Sequence, residues 1–198
     1  MGAANEILMY LVQTVFSLFL IAVILRFILQ LVRADFYNPI SQFLVKVTNP
    51  LLVPLRRIIP GVAGVDVAAV LLALVVQTIA IVLTYVLVGQ PLPAIPNLVI
   101  WAALGLVALV VNIYFFALLA MIILSWVAPG SNNPALFLLH QITEPVMAPF
   151  RKMLPPMGGL DLSPILLFIL INIIQISLRH MAVSVGMSQV AALAVLGF

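Results

Sequence analysis

The sequence predicts an all-α polytopic membrane protein, with four transmembrane helices in two parallel tandem repeats, each carrying an amphipathic connector helix. Three observations carry that expectation. Hydrophobic residues make up 66% of the 198-residue chain and charged residues only 7%, against roughly 25% charge in an ordinary soluble domain. The apolar residues gather in long runs free of charge, and a motif of scarce polar residues and prolines occurs twice in register. The composition leaves too little polar surface for a soluble globular enzyme, a nucleic-acid-binding domain or a disordered chain. The absence of cysteine removes disulfides, thiolate metal sites, Cys-attached haem and cysteine nucleophiles.

The first run, residues 7–25, holds 19 residues without a charge. At ~1.5 Å per residue it covers about 28 Å, close to the hydrocarbon thickness of a bilayer. No basic residue precedes it, so a retained membrane helix is expected rather than a cleaved leader. Residues 67–88 (22 residues) and 98–127 (30 residues) follow, then 162–178 (17 residues). In hydrocarbon a span must satisfy its own backbone groups, so these runs are helices. Residues 181–198 are again uncharged. The expectation is that the fourth span continues to about Val183, with Arg179 reaching the outer headgroups, and that 184–198 lies along the surface; a fifth span starting at Met181 is the alternative.

The repeat has an offset of 95 residues. Asn38-Pro39 recurs as Asn133-Pro134, and Leu44, Thr48, Pro50, Pro54, Arg56, Pro60, Gly64 and Asp66 recur at 139, 143, 145, 149, 151, 155, 159 and 161 without a gap. Chance apolar similarity does not align Asn, Pro, Arg and Asp in a chain where they are scarce. The chain divides into residues 1–92, residues 93–185 and a hydrophobic tail, 186–198. Two spans per repeat return the chain to its starting side, so the copies are parallel and both connectors share one side. The connectors carry Arg33, Lys46, Arg56, Arg57, Arg151 and Lys152, whereas the N-terminus and the 89–97 turn carry no Lys or Arg. The positive-inside rule then places the connectors in the cytoplasm and the N-terminus in the periplasm, in a cell inner membrane.

Within the first connector Ile40, Phe43, Leu44 and Val47 recur at helical spacing, with Ser41, Gln42 and Lys46 off that stripe. Asn38 suits an N-cap and Pro39 the first helical position. Pro50 is expected to stop the helix. Beyond it, Arg56-Arg57 sits among apolar residues, as does Arg151-Lys152 in the second copy, an arrangement suited to a loop half-sunk among lipid phosphates.

The pattern Asn-Pro, eight residues, Thr-x-Pro-x-x-x-Pro-x-Arg-Arg/Lys-x-x-Pro-x-x-x-Gly-x-Asp resembles the YggT/YlmG family of small integral membrane proteins, in its duplicated proteobacterial form. It is carried by Asn38, Pro39, Thr48, Pro50, Pro54, Arg56, Arg57, Pro60, Gly64 and Asp66 and again 95 positions later. The resemblance implies a connection with osmotic tolerance, ion homeostasis or division; plastid relatives are linked to haem attachment to a cytochrome. It implies no catalytic residue and no cofactor. Symmetry breaks where Arg26, Arg33 and Asp35 become Met121, Ala128 and Gly130.

These residues yield the site candidates. Arg56, Arg57, Arg151, Lys152 and Arg33 are candidates for binding anionic headgroups or an acidic partner. Asp66 and Asp161 are read as helix caps or as partners of Arg56 and Arg151. Gln77 and Asn172 share a repeat position near mid-span, where amides either hold helices together or line a polar path that Gln13, Asn112 and Gln175 could join. Arg26, Gln30 and Arg33 share one helix face, with Arg26 expected to snorkel. His140 and His180 fall on opposite sides of the membrane and are no ligand pair. The expected function is a non-enzymatic scaffold or assembly factor, engaging lipid, a membrane protein or a second copy of itself, and not nucleic acid. The alternative is a small ion or solute permease with its path between Gln77 and Asn172.

Overall fold

The computed structural model describes residues 3–127, 133–153, 161–187, 192, 195 and 196. Among the described residues six helices are delimited in order: α1 (Ala3–Leu31), α2 (Pro39–Ile58), α3 (Val67–Val88), α4 (Ile95–Val127), α5 (Pro134–Met153) and α6 (Ser163–Ser184). Four of them, α1, α3, α4 and α6, are long and apolar enough to cross a membrane. Helix α4, at 33 residues, reaches about 50 Å and exceeds the hydrocarbon layer.

The ends follow local chemistry. Arg33 (φ 55°) closes α1 in the left-handed region, with the Ala34 amide donating back to Leu29 O at 2.8 Å. Gly89 (φ 69°) does the same for α3, where Gln90 N reaches Tyr85 O at 3.0 Å. Glycine adopts this conformation freely, whereas Arg33 meets a steric cost of about 1–2 kcal/mol. Asn38 caps α2 as its sequence suggests, accepting from Ile40 N at 2.9 Å.

Both connectors lie at one end of the bundle. The Asn38 side-chain amide donates to Pro134 O at 2.8 Å, and the Asp35 backbone N–H donates to Gln141 Oε1 at 3.0 Å. Two connectors that touch through their N-terminal ends share a side, which makes the two repeats parallel. A first core gathers α1, α2 and α3 around Val23, Leu29, Leu52 and Ala73, and takes in Leu138 and Ile142 of α5. A second joins α4, α5 and α6 through Leu118, Met147 and Ile171. A third, at the end away from the connectors, holds Ile81, Trp101, Ala102 and Ala182.

Three expectations are corrected. First, Pro50 does not stop the connector helix: α2 runs through Pro50 and Pro54, and α5 through Pro145 and Pro149. Wholly buried Leu52 and Met147, each between the two prolines of its copy, anchor the segment beyond the first proline. The basic pairs therefore occupy the last helical turn rather than a loop. Second, the buried line of α2 is Ser41, Leu44, Thr48 and Leu52, while Ile40, Phe43, Val47, Leu51 and Ile58 point outward. Small hydroxylated residues let helices approach closely, and the more apolar stripe is left exposed. Third, the fourth span continues through Met181 as expected, but the described tail residues Ala192 and Leu196 do not lie on the surface. Met181 belongs to α6. Gly186 (φ 79°) closes α6 in the left-handed region, and Ala192 and Leu196 belong to the third core.

Candidate functional site

Two groups of polar side chains are candidates: one at the connector end and one in a band half-way along the bundle.

At the connector end, Arg26 does not snorkel. It is 5% exposed and reaches from α1 into the turn of α2 just ahead of Pro50. Its Nη1 donates to Thr48 Oγ1 at 2.6 Å, Asn49 Oδ1 at 2.9 Å and Val45 O at 3.4 Å. Proline removes a backbone donor from this stretch, and the guanidinium supplies donors to the same turn. In the second copy Met121 stands at the Arg26 position, and Thr143 Oγ1 donates to its Sδ at 3.1 Å. The two threonines keep their place while the partner changes from cation to thioether.

Arg56 turns inward. Its Nε donates to Asp66 Oδ2 at 3.1 Å, its Nη2 contacts the same oxygen, and Nη2 also reaches Gln30 Oε1 at 3.1 Å. Asp66 at the same time caps α3, accepting from Ala69 N at 3.2 Å. Both readings of Asp66 thus hold together: cap and ion-pair partner. The copy differs. Arg151 Nε donates to Asp161 Oδ2 at 3.0 Å and Nη1 pairs with Glu144. Glu144 replaces Asn49, so the second copy carries an extra carboxylate in place of a buried cation. Asp161 sits one residue ahead of the cap position Leu162, accepting from Ser163 N at 2.9 Å. Its side chain is 41% exposed against 4% for Asp66. Partial burial pushes the Asp161 carboxyl upward, but neighbouring Ser163 and the Arg151 guanidinium outweigh it and hold the carboxyl below the usual carboxylate range.

Arg57, Lys152, Lys46 and Arg33 are exposed and make no ion pair among the described residues. On α2, Lys46 and Arg57 fall on one side of the helix, Ile40, Phe43, Val47, Leu51 and Ile58 on another, and the buried line on a third. Such a helix has one face for the protein, one for lipid and one for water. Charge in the last turns of α2 and α5 also matches the negative end of each helix dipole.

In the mid-bundle band, the structure separates Gln77 from Asn172. Gln77 is buried between α3 and its neighbours. Asn172 faces outward, its amide donating to Phe168 O on its own helix at 2.8 Å. The amides that do meet are Gln175 and Asn112, at 3.0 Å, and Asn112 in turn donates to Leu196 O at 3.0 Å. Among the described residues no group of three His, Asp or Glu converges as a metal site would need. The shared helix face of Arg26 and Gln30 did not signal the network around Arg26: Arg26 donates to the α2 turn, and Gln30 accepts from Arg56. Nothing in the sequence pointed to the return of Leu196 to Asn112.

The CCB3/YggT family model matches residues 5–87 and again 100–182, the same 95-residue offset as the internal repeat. This chain belongs to the CCB3/YggT family. It is similar to the uncharacterised protein PA0392 of Pseudomonas aeruginosa, 50% identical over 187 residues that cover 93% of this chain and 95% of that protein. It is similar also to the uncharacterised protein YggT of Escherichia coli K12, 39% identical over 183 residues, 90% and 93% of the two chains. A shorter stretch is similar to YlmG homolog protein 2, chloroplastic, of Arabidopsis thaliana, 41% identical over 64 residues, 31% of this chain and 24% of that protein. No solved structure matches. With four apolar helices on this duplicated family pattern, the chain is a multi-pass membrane protein.

Proposed function

We propose that this CCB3/YggT protein is a non-enzymatic scaffold of the cell inner membrane whose connector end, facing the cytoplasm, holds anionic lipid headgroups and so presents a fixed surface for assembly. One observation carries the reading: in each repeat the basic pair is split, the first cation turned onto an aspartate and the second left exposed beside lipid-facing apolar residues. Arg56 and Arg151 thereby brace the connector against the next helix. Arg57 and Lys152, with Lys46 and Arg33, remain for headgroup phosphates.

Each basic residue near an anionic surface contributes about 1 kcal/mol. Replacing Arg57 and Lys152 by Gln therefore weakens the preference for anionic lipid by about 2 kcal/mol, roughly thirtyfold. The test is fluorescence-quenching competition between phosphatidylglycerol and phosphatidylcholine around the full chain in nanodiscs. Equal lipid preference in the wild type and in R57Q/K152Q would remove the headgroup role. The permease alternative needs a polar path through the bundle. Buried Leu20, Val23, Leu72 and Ala73 instead form an apolar layer between the amide band and the connector end, and selective solute flux through liposomes holding the purified chain would reverse the order of the two readings.

A further inference from the structure

Away from the connector end, a crevice runs between α1, α3 and α4 to the middle of the bundle. Its outer part, of about 70 Å³, begins at Thr84 and Tyr85, one turn from the end of α3, and passes Gln13 and Ser17 to Gln77. Its inner part, of about 120 Å³, continues from Ser17 and Gln77 to Gly105 and Asn112. Gln77 lies 11 residues from Val88, so the crevice descends about 16 Å into the bilayer. Both parts have room for several waters. Val195 lines both, and Leu196, tied through its carbonyl to Asn112, closes the inner one. Leu20 lines both parts, and Val23, Leu72 and Ala73 are buried on its connector side.

The polar groups here are out of the ordinary for hydrocarbon depth. Gln77 is only 9% exposed, yet its amide makes no hydrogen bond to a described residue and borders the crevice instead. Gly105 leaves room for it: a Cβ at that position would stand 2.7 Å from Gln77 Nε2 and 2.8 Å from Val195 Cγ1. A buried amide without a protein partner costs on the order of 1–3 kcal/mol unless something in the crevice bonds it. The crevice repays this only if something with both donors and acceptors occupies it.

We propose that the crevice is a binding site for a small uncharged molecule bearing both hydrogen-bond donors and acceptors, of the amide or polyol class, entered from the face opposite the connectors and walled by the chain's own Val195 and Leu196. The chemistry selects against ions. The lining side chains Gln13, Ser17, Gln77, Thr84, Tyr85 and Asn112 offer hydroxyls and amides but no formal charge, and an ion at this depth without a counter-charge is strongly disfavoured. Among the described residues, buried Val23, Leu72 and Ala73 stand between the crevice and the connector end, which suits capture rather than conduction. The site stands apart from the lipid-facing connectors and does not depend on the scaffold reading.

The chain has no cysteine, so single thiols report on the crevice directly. Ser17→Cys places a thiol in it with almost no change of volume, Ser177→Cys places one on the outward face of α6, and Gln90→Cys one in the exposed turn after α3. The full chain in liposomes is alkylated with neutral iodoacetamide or charged iodoacetate, with and without acetamide as competitor. Ser17→Cys should react with iodoacetamide at least tenfold faster than Ser177→Cys. Its preference for iodoacetamide over iodoacetate should exceed that of Gln90→Cys at least tenfold, and acetamide should slow it while leaving Gln90→Cys unaffected. A rate at Ser17→Cys no higher than at Ser177→Cys would show lipid rather than a hydrated crevice. A reagent preference equal to that of Gln90→Cys, or no protection by acetamide, would show water without a site. Any of these three results overturns the proposal.

Discussion

Asp66 and Asp161 are aligned residues of one motif, yet replacing them should have unequal consequences. In Asp66→Ala two interactions vanish together. The cap on Ala69 N is worth about 1 kcal/mol. The ion pair with Arg56 joins a carboxylate 4% exposed to a guanidinium 35% exposed. Breaking a fully buried pair costs about 3–5 kcal/mol, and an exposed pair at most about 1 kcal/mol. Because Arg56 can still reach water, about 1–2 kcal/mol is the reasonable range for this one, making about 2–3 kcal/mol in all. In Asp161→Ala the lost carboxylate is 41% exposed and lies outside the cap position, and Arg151 keeps Glu144. That change should cost less than about 1 kcal/mol. The difference, about 2 kcal/mol, is roughly thirtyfold in the folding equilibrium. Equilibrium unfolding of the purified chain in mixed micelles, followed by helical circular dichroism, measures it. The double variant Arg56→Met/Asp66→Asn leaves no unpaired cation and should recover part of the loss. Equal destabilisation by Asp66→Ala and Asp161→Ala, or a larger effect of the second, would refute the claim that burial and capping separate the copies.

Two further outcomes follow from the same end of the bundle. Arg26→Met copies the second repeat's Met121 and should fold, but it leaves Asn49 Oδ1 without its donor at a cost of about 1–3 kcal/mol; hydrogen–deuterium exchange should quicken around Thr48–Leu52 in α2 and stay unchanged in α5, and unaltered protection in α2 would mean that Arg26 does not hold the proline turn. Asp161 has its proton affinity lowered by folding, so its contribution is present above the ordinary carboxylate pKa and is lost as pH falls through the depressed value; the stability gap between wild type and Asp161→Asn should therefore hold at neutral pH and close as pH falls below the ordinary carboxylate range, and a gap that persists in strong acid would contradict the assignment.

The four spans were legible because hydropathy and absence of charge belong to each residue separately. Residues 67–88 coincide with α3, and the duplicated Asn-Pro and Thr positions recur in equivalent places. Asn38 as a cap and Asp66 as a cap paired with Arg56 followed from local chemistry. Other features did not. Pro50 reads as a stop, but the helix persists where Leu52 is buried beyond it and Arg26 donates from another helix. Gln77 and Asn172 occupy one repeat position, and only the different neighbours of α3 and α6 send one inward and the other to the outside.

From the sequence alone came the solvent of the protein, the number of crossings, the duplication and the common side of the two connectors, all properties that add along the chain. Tertiary structure decided which stripe of α2 meets protein and which meets lipid, which cation of each pair is buried, and that the tail comes back to Asn112. These depend on the rotation of each helix about its own axis. That rotation is set by how neighbouring side chains interlock, and in a chain apolar on every side the hydrophobic pattern is nearly the same at every angle.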